Sequence, residues 1–443
     1  MGAAEESRSA PLAVFESLER FGPAWWDERR RTAIEAFEAQ GFPTKRWEAW
    51  KNIDLSPVLA GDFRPPAHAG DPGDGLAPLE RLLPAADAPR VVLIDGRFDA
   101  ARSRLDDLPA GVTVSSLEDA LARGEPWLEE HLAAHADPRA NPFVALNTAL
   151  AAGGVAIDVD DRAAIETPIL VAAYTTAAAA GHAVYPRVLV RGGEASQVTV
   201  VEWHGGAPGA DYLTCPVTEL VAGASGMVDL VRIAEEGDRG CCVGAVSGTV
   251  ARDGRVSAHS FVVGGSKVRL DLEVKVVGDH AEGELTGLHV TGDKQFVDHH
   301  TWVHHDAEHT RSRQIVKGVL DGKSETVFDG IIKVHPGAQK TDAEQQNRNL
   351  VLSKRALAHS NPRLEIYADD VRCTHGSTVG ELDENAIFYL RSRGVDEETA
   401  RGILTFAFAG DVLETVRCRQ AAAYEKALLS RLLPGGEGVG EME

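Results

Sequence analysis

Between about residues 155 and 372 the chain is a succession of short apolar runs punctuated by glycine, and no helix is needed between them. KVRLDLEVKVVG (267–278) alternates cleanly. Val268, Leu270, Leu272, Val274 and Val276 share one face, and Lys267, Arg269, Asp271, Glu273 and Lys275 share the other. GRVSAHSFVVGG precedes it and HAEGELTGLHVTG follows it. ETVFDGIIKVHPG repeats the habit, with Phe328, Gly330, Ile332 and Val334 on one side. So many strands at short spacing define a sandwich, a barrel or a parallel β-solenoid. Asp-Gly pairs at 253–254, 321–322 and 329–330 keep hairpins open. Small residues on the strand faces favour coils stacked closely on one another.

Helical patterns flank this zone. Leu12, Phe15 and Leu18 recur at helical spacing before Gly22–Pro23, and Ile34 and Phe37 share a face that ends at Gly41. Trp47 and Trp50, three apart, read as core. Residues 56–90 are rich in Pro, Gly, Ala and Asp, as a linker or surface loop is. VVLID (91–95) reads as a buried strand. The helical stretches that follow each open on a Ser or Asn able to cap a first turn. After residue 380 the pattern is helical again. Asp383 is the expected N-cap and Gly394 the stop, Ala400, Ile403, Leu404 and Ala407 form a stripe, and Pro434–Gly435–Gly436 ends the last helix. The expected units are therefore a helical region 1–55, a linker and mixed α/β region 56–154, a β core 155–379 and a helical domain 380–443.

A formal net charge of −22 disfavours nucleic acid and anionic membrane as partners, because phosphate binding needs clustered Lys and Arg. Five cysteines, an odd number without a framework of spacings, suit a reduced protein. The acidic N-terminus has no apolar core of a signal peptide, and no apolar run approaches the roughly 18 residues of a membrane helix. The expected location is the cytoplasm.

The nucleophile elbow GxSxG, HExxH and GxGxxG are missing. GVLDGKS (318–324) is one residue short of a phosphate loop between its glycines and sits between strands, so Asp321–Gly322 reads as a turn and ATP hydrolysis is not expected. DHHTWVHHDAEHTRSRQ (298–314) holds His299, His300, His304, His305 and His309. On a helix these would give i, i+4 pairs suited to zinc. On the strand that Thr301, Trp302 and Val303 favour, His300 and His304 share one face and His299 and His305 the other. Adjacent Cys241 and Cys242 point to opposite faces of a strand. In LEIYADDVRCTH, Cys373 and His375 are two apart on a strand and project side by side. A thiolate beside an imidazole suits iron, zinc or an iron–sulfur fragment, but two ligands do not complete a site, and a buried free cysteine is also ordinary packing.

The segment AQKTDAEQQNRNLVLSKRALAHSNPRLEIYADDVRCTHGSTVGELDENAIFYLRSRGV (338–395) resembles the SufB/SufD family of iron–sulfur cluster assembly proteins. HTWVHHDAEHTRSRQIVKGVLDG, FDGIIKV and PTKRWEAWKNIDL fit the same pattern, and the EIYADDVRCTHG run and the length point to the SufD branch. The resemblance implies a right-handed parallel β-helix core flanked by N-terminal and C-terminal α-helical domains. It implies a scaffold subunit without turnover of its own, paired with a SufB-like paralogue. A SufC-like ABC-type ATPase is expected on the C-terminal helical domain. It also implies that His375, and with it Cys373, help form a transient iron–sulfur cluster or bind iron at the interface with the paralogue. Nothing tightly bound is expected on the isolated chain. Exposed strands at the end of a β-helix invite pairing, so the isolated chain is expected to be a homodimer. The competing reading is a metal-dependent β-helix enzyme using the 298–310 histidines. A third is an adaptor in which Cys373 and His375 only pack.

Overall fold

Strands that are apolar on both faces need cover from two sides, and in this chain three separate segments provide it. In the computed structural model, which describes residues 3–59, 61–83 and 88–433, the strands wind as a parallel β-solenoid of about eight turns. Each turn gives one strand to a ten-stranded sheet and one to an eleven-stranded sheet. Lys267–Val276, Phe296–His305 and Glu325–Val334 are parallel neighbours in the second sheet. Glu282–Thr291, Arg311–Leu320 and Asp342–Val351 are parallel neighbours in the first. None of the Asp-Gly pairs at 253–254, 321–322 and 329–330 makes a hairpin, whereas Asp95–Gly96, both at positive φ (50° and 78°), joins Arg90–Ile94 to Arg97–Phe98 in one. Asp321–Gly322 turns the chain from one sheet to the other, with Gly322 at φ +63°, and Asp329–Gly330 lies inside a strand.

Register partners lie one coil apart, so inward side chains form files along the solenoid. One file runs Ile169, Val200, Leu230, Ala258, Leu285, Gln314, Gln345 and His375. Its first five members are apolar and buried, and its last three are polar. The neighbouring file ends Ser312, Ala343, Cys373. On the facing sheet Val268, Leu270, Leu272, Val274 and Val276 are all buried in the same interior, as their alternation predicts. Each such side chain contributes about 1.5–3 kcal/mol of transfer free energy.

The opposite face of that strand is covered too, which the alternation did not reveal. Arg269 is buried. Its guanidinium stands 3.7 Å from the centroid of the Trp50 ring, donates to the Ala49 carbonyl (2.6 Å), and pairs with Asp271 and Asp298 (2.9 Å each). The helices Ala24–Gln40 and Pro142–Leu150 and the turn Glu48–Trp50 place Phe37, Phe42, Trp50 and Phe143 against Tyr185, Leu213, Cys241 and Phe296 of this sheet. Within the expected 56–90 linker, Phe63 is buried and its carbonyl accepts from the Tyr185 hydroxyl (2.8 Å). Ser116 and Asn141 cap their helices as expected, accepting from the Asp119 and Phe143 amides.

C-terminal helices cover the other sheet. Glu397–Leu413 and Arg419–Leu432 lay Ala409, Val412, Tyr424 and Leu428 on Val201, Trp203, Ile233, Phe261 and Leu288. The buried line of the first helix is Ala400, Gly402, Thr405, Ala409, Val412 and Leu413 rather than the expected stripe. Ala407 is exposed, and Leu404 packs sideways on Leu382 and Ile387 of the neighbouring segment. Asp383 caps Glu384–Ser392 by accepting from the Asn385 amide (2.8 Å), and Gly394 follows it at φ +92°. The Pro434–Gly435–Gly436 stop lies outside the described residues.

The solenoid's two ends differ. At the first, the short strands Arg97–Phe98 and Val112–Ser116 run antiparallel to Arg90–Ile94 and Val155–Val159 and are the outermost strands of the two sheets. At the other, Leu357–Ile366 and Arg372–Gly380 are the outermost strands and carry no further strand among the described residues.

Candidate functional site

The last strand, Arg372–Gly380, is held on one side by in-register pairing with Asp342–Val351 and is bare on the other. Its side chains are exposed almost throughout, because the coil that would bury them does not exist. Leu357 (53% exposed), Ile366 (41%) and Val379 (53%) show the same thing on both terminal strands: apolar residues with no cover. A long strand edge with unpaired backbone N–H and C=O groups is a template for another chain.

Cys373 and His375 lie on this strand and project to the same side, as i and i+2 must. Cys373 is half-buried against Ile332, Val334, Ala338, Ala343 and Ala368. Burial first, and then the charge of Asp342, push its thiol above the usual range. It is a neutral thiol, and acting as a ligand would require loss of that proton. His375 is exposed. Together with Gln345 and Asn347 of the preceding coil it lines a cleft of about 360 Å³. One soft sulfur and one imidazole, side by side on a rigid strand, match the donor chemistry of iron and iron–sulfur species. Two such donors do not by themselves complete a tetrahedral set.

The 298–309 histidines do not form a comparable group. On the strand Phe296–His305 the alternation separates them. His299 and His305 point into the interior and are fully buried, and burial holds both imidazoles near a pKa of about 4. His299 Nε2 lies 3.0 Å from Ser260 Oγ, and His305 is fixed between Thr310 and Ser312 hydroxyls, 2.8 Å each. His300 points outward beneath the N-terminal cover, 2.9 Å from Asp298, and His304 pairs with Glu273 at 3.2 Å. His309 sits in a turn at φ +58°. The i, i+4 zinc pairs of a helix are therefore not formed. No three His, Cys, Asp or Glu side chains among the described residues gather as a metal site. Cys242 lies in the interior and Cys241 under the N-terminal cover, on opposite faces.

Two residues beside the site escaped the sequence reading. Gln314 and Gln345 occupy the positions directly behind His375 in its file. The signal that finds them is the coil period: residues 314, 345 and 375 recur at one coil's length.

The chain is thus a two-sheeted parallel solenoid with a thiol and an imidazole on its outermost strand. The sequence matches the family described as "SUF system FeS cluster assembly, SufBD core domain" over residues 174–408. It matches "SufBD protein N-terminal region" over residues 16–171. The chain belongs to the SufBD family of iron–sulfur cluster assembly proteins. Within it, the chain is a homologue of the iron–sulfur cluster assembly protein SufD of Escherichia coli, 29% identical over 401 residues, which cover 89% of this chain and 90% of that one. A SufBD family protein of Synechocystis, slr0076, is 30% identical over 400 residues, covering 88% of this chain and 87% of its own. A second Synechocystis member, slr0074, is 26% identical over 394 residues, 82% of this chain and 78% of its own. Among the described residues no helix is long and apolar enough to cross a membrane.

Proposed function

We propose that this chain is the SufD-like scaffold subunit of a SufBCD-type complex and helps form a nascent iron–sulfur cluster where it meets a SufB-like partner. The observation that carries the reading is the pair Cys373 and His375, aimed the same way on a bare edge strand at the open end of the solenoid. The cluster is cargo, built and passed on. His375 supplies a nitrogen ligand, Cys373 a sulfur ligand after losing its proton, and the second chain the remaining donors. Two ligands alone hold iron weakly, which suits release of the product.

The partner adds to the open end by continuing the sheets. The same edge pairs two copies of this chain when it is isolated. An ABC-type ATPase docks on the C-terminal helical domain (380–443). The helix Glu384–Ser392 supports this by presenting Phe388 (75% exposed) and Tyr389 (56%) to solvent. The region 1–55 serves as cover for the 155–379 core, and the segment 56–154 adds both cover and the first strands of its sheets. Turnover belongs to the ATPase, and the complex works in the cytoplasm.

The test is cluster formation in cells with His375→Ala in the full complex. The reading predicts normal co-purification of all subunits and loss of cluster. A wild-type cluster yield in that variant, or in the double Cys373/His375 variant, overturns the ligand assignment and leaves a pure adaptor.

A further inference from the structure

Gln345 is wholly buried on the strand preceding His375 and is its register partner. Parallel neighbours stand about 4.8 Å apart with their side chains on the same side. A chain of hydrogen bonds fixes which way the Gln345 amide faces. Gln314 Nε2 donates to the Ile331 carbonyl (3.1 Å), which can only accept, so the Gln314 oxygen is the other end. That oxygen accepts from the Thr301 hydroxyl (2.7 Å) and from Gln345 Nε2 (2.8 Å). The Gln345 nitrogen is thus turned back to the preceding coil and its oxygen is turned away from it. That oxygen, Oε1, is buried and has no hydrogen-bond partner. A buried amide oxygen left without a donor is destabilising.

The space for this amide is built in. A Cβ on Gly330 would stand 2.5 Å from Gln345 Nε2 and 2.5 Å from Phe328 Cζ, so a side chain there would displace the amide. The next coil offers one ring with N–H donors in register with the orphaned acceptor, and that ring is His375.

We infer that Gln345 is a positioning residue for His375: its side-chain oxygen accepts one ring N–H of His375 and leaves the other ring nitrogen to face iron. An imidazole ligates through one nitrogen, and a partner on the other nitrogen fixes its tautomer and orientation. Thr301, Gln314 and Gln345 then act as a rigid strut that carries the orientation from the solenoid's interior to its open edge. The inference rests on the reading of His375 as a ligand.

The test uses the full chain with ¹⁵N-labelled histidine, at a pH where the ring is neutral, in wild type, Gln345→Leu and Gln345→Glu. Leucine fills the space without an acceptor, whereas glutamate keeps an acceptor for His375 and loses the donor to Gln314. The expected result is one predominant His375 tautomer in wild type and Gln345→Glu, and a mixture in Gln345→Leu with unchanged circular dichroism. Iron(II) affinity of the complex should fall about 10- to 100-fold in Gln345→Leu. The same tautomer ratio in wild type and Gln345→Leu overturns the inference. If Gln345→Leu unfolds, a wild-type tautomer mixture in the spectrum of the unaltered chain overturns it without the variant. His375→Ala run alongside separates the two levels. Normal cluster formation in His375→Ala defeats the ligand reading, whereas loss there with unchanged tautomer and affinity in Gln345→Leu defeats only the strut.

Discussion

The two ends of the solenoid are built from the same kind of coil and finished in opposite ways. At the first end, short antiparallel strands are the outermost of both sheets, and the interior is Ile169, Val200 and Leu230. At the other, the same file ends in Gln314, Gln345 and His375, and the edge strands are bare. The open end leaves Val379, Leu357 and Ile366 without cover, and on the proposed reading a second chain finishes both the sheets and the ligand set there.

This contrast can be broken most severely near the first end. Glu219 is buried, pairs with Arg187, and accepts from the Ala133, His135 and Ala136 amides. Burial alone would raise its carboxyl, but the Arg187 guanidinium holds it below the usual range. Glu219→Ala leaves an unpaired buried guanidinium and is expected to destabilise the fold by about 3–5 kcal/mol, read by urea unfolding. Leu230→Ala opens a cavity in the apolar file and should cost about 2–5 kcal/mol. The matched change at the open end, Val379→Ala, should stay within about 0.5 kcal/mol. Equal losses at Leu230 and Val379 would erase the difference between the ends.

Protonation sharpens the comparison further. His299 and His305 are neutral in the fold, lowered from 6.5 to about 4 by burial. Their contribution is complete above pH 6.5 and is lost as pH falls towards 4, because the unfolded chain binds the protons first. Unfolding at pH 5 should therefore be accompanied by the uptake of about two protons by these rings. Glu202 acts lower: burial raises its carboxyl, but Arg232 and then His204 bring it to about 2, so its share is lost only as pH falls from 4.5 towards 2. A urea midpoint that does not move between pH 7 and pH 5 would contradict the buried neutral imidazoles. The smallest effect on stability is expected from Val379→Lys with Leu357→Lys, which place charge on the bare edge. Unfolding should barely change, while self-association by light scattering is lost.

How much of this was legible in the sequence depends on the direction in which each feature is organised. The alternation of Val268 to Val276 is local, and it gave strand and inward face correctly. The small residues on strand faces pointed to stacked coils. What covers the outer faces was not legible, because Arg269 meets the Ala49 carbonyl 220 residues away along the chain. In the sequence Arg269 and Asp271 read only as members of the strand's charged face. The split of the histidines between faces followed from period two, but their hydroxyl and carboxylate partners come from other coils. Cys373 and His375 were visible as an i, i+2 pair. Gln345 was not, since its relation to His375 is one of stacking and a single strand carries no record of its neighbour.

The most direct test of an open end completed by another chain is native mass spectrometry of the tagged protein, purified without oxygen from its own cells. The account predicts co-purification with a paralogue and an ABC-type ATPase, with iron and sulfide present only in the complex. A lone homodimer carrying a tightly bound metal would contradict it.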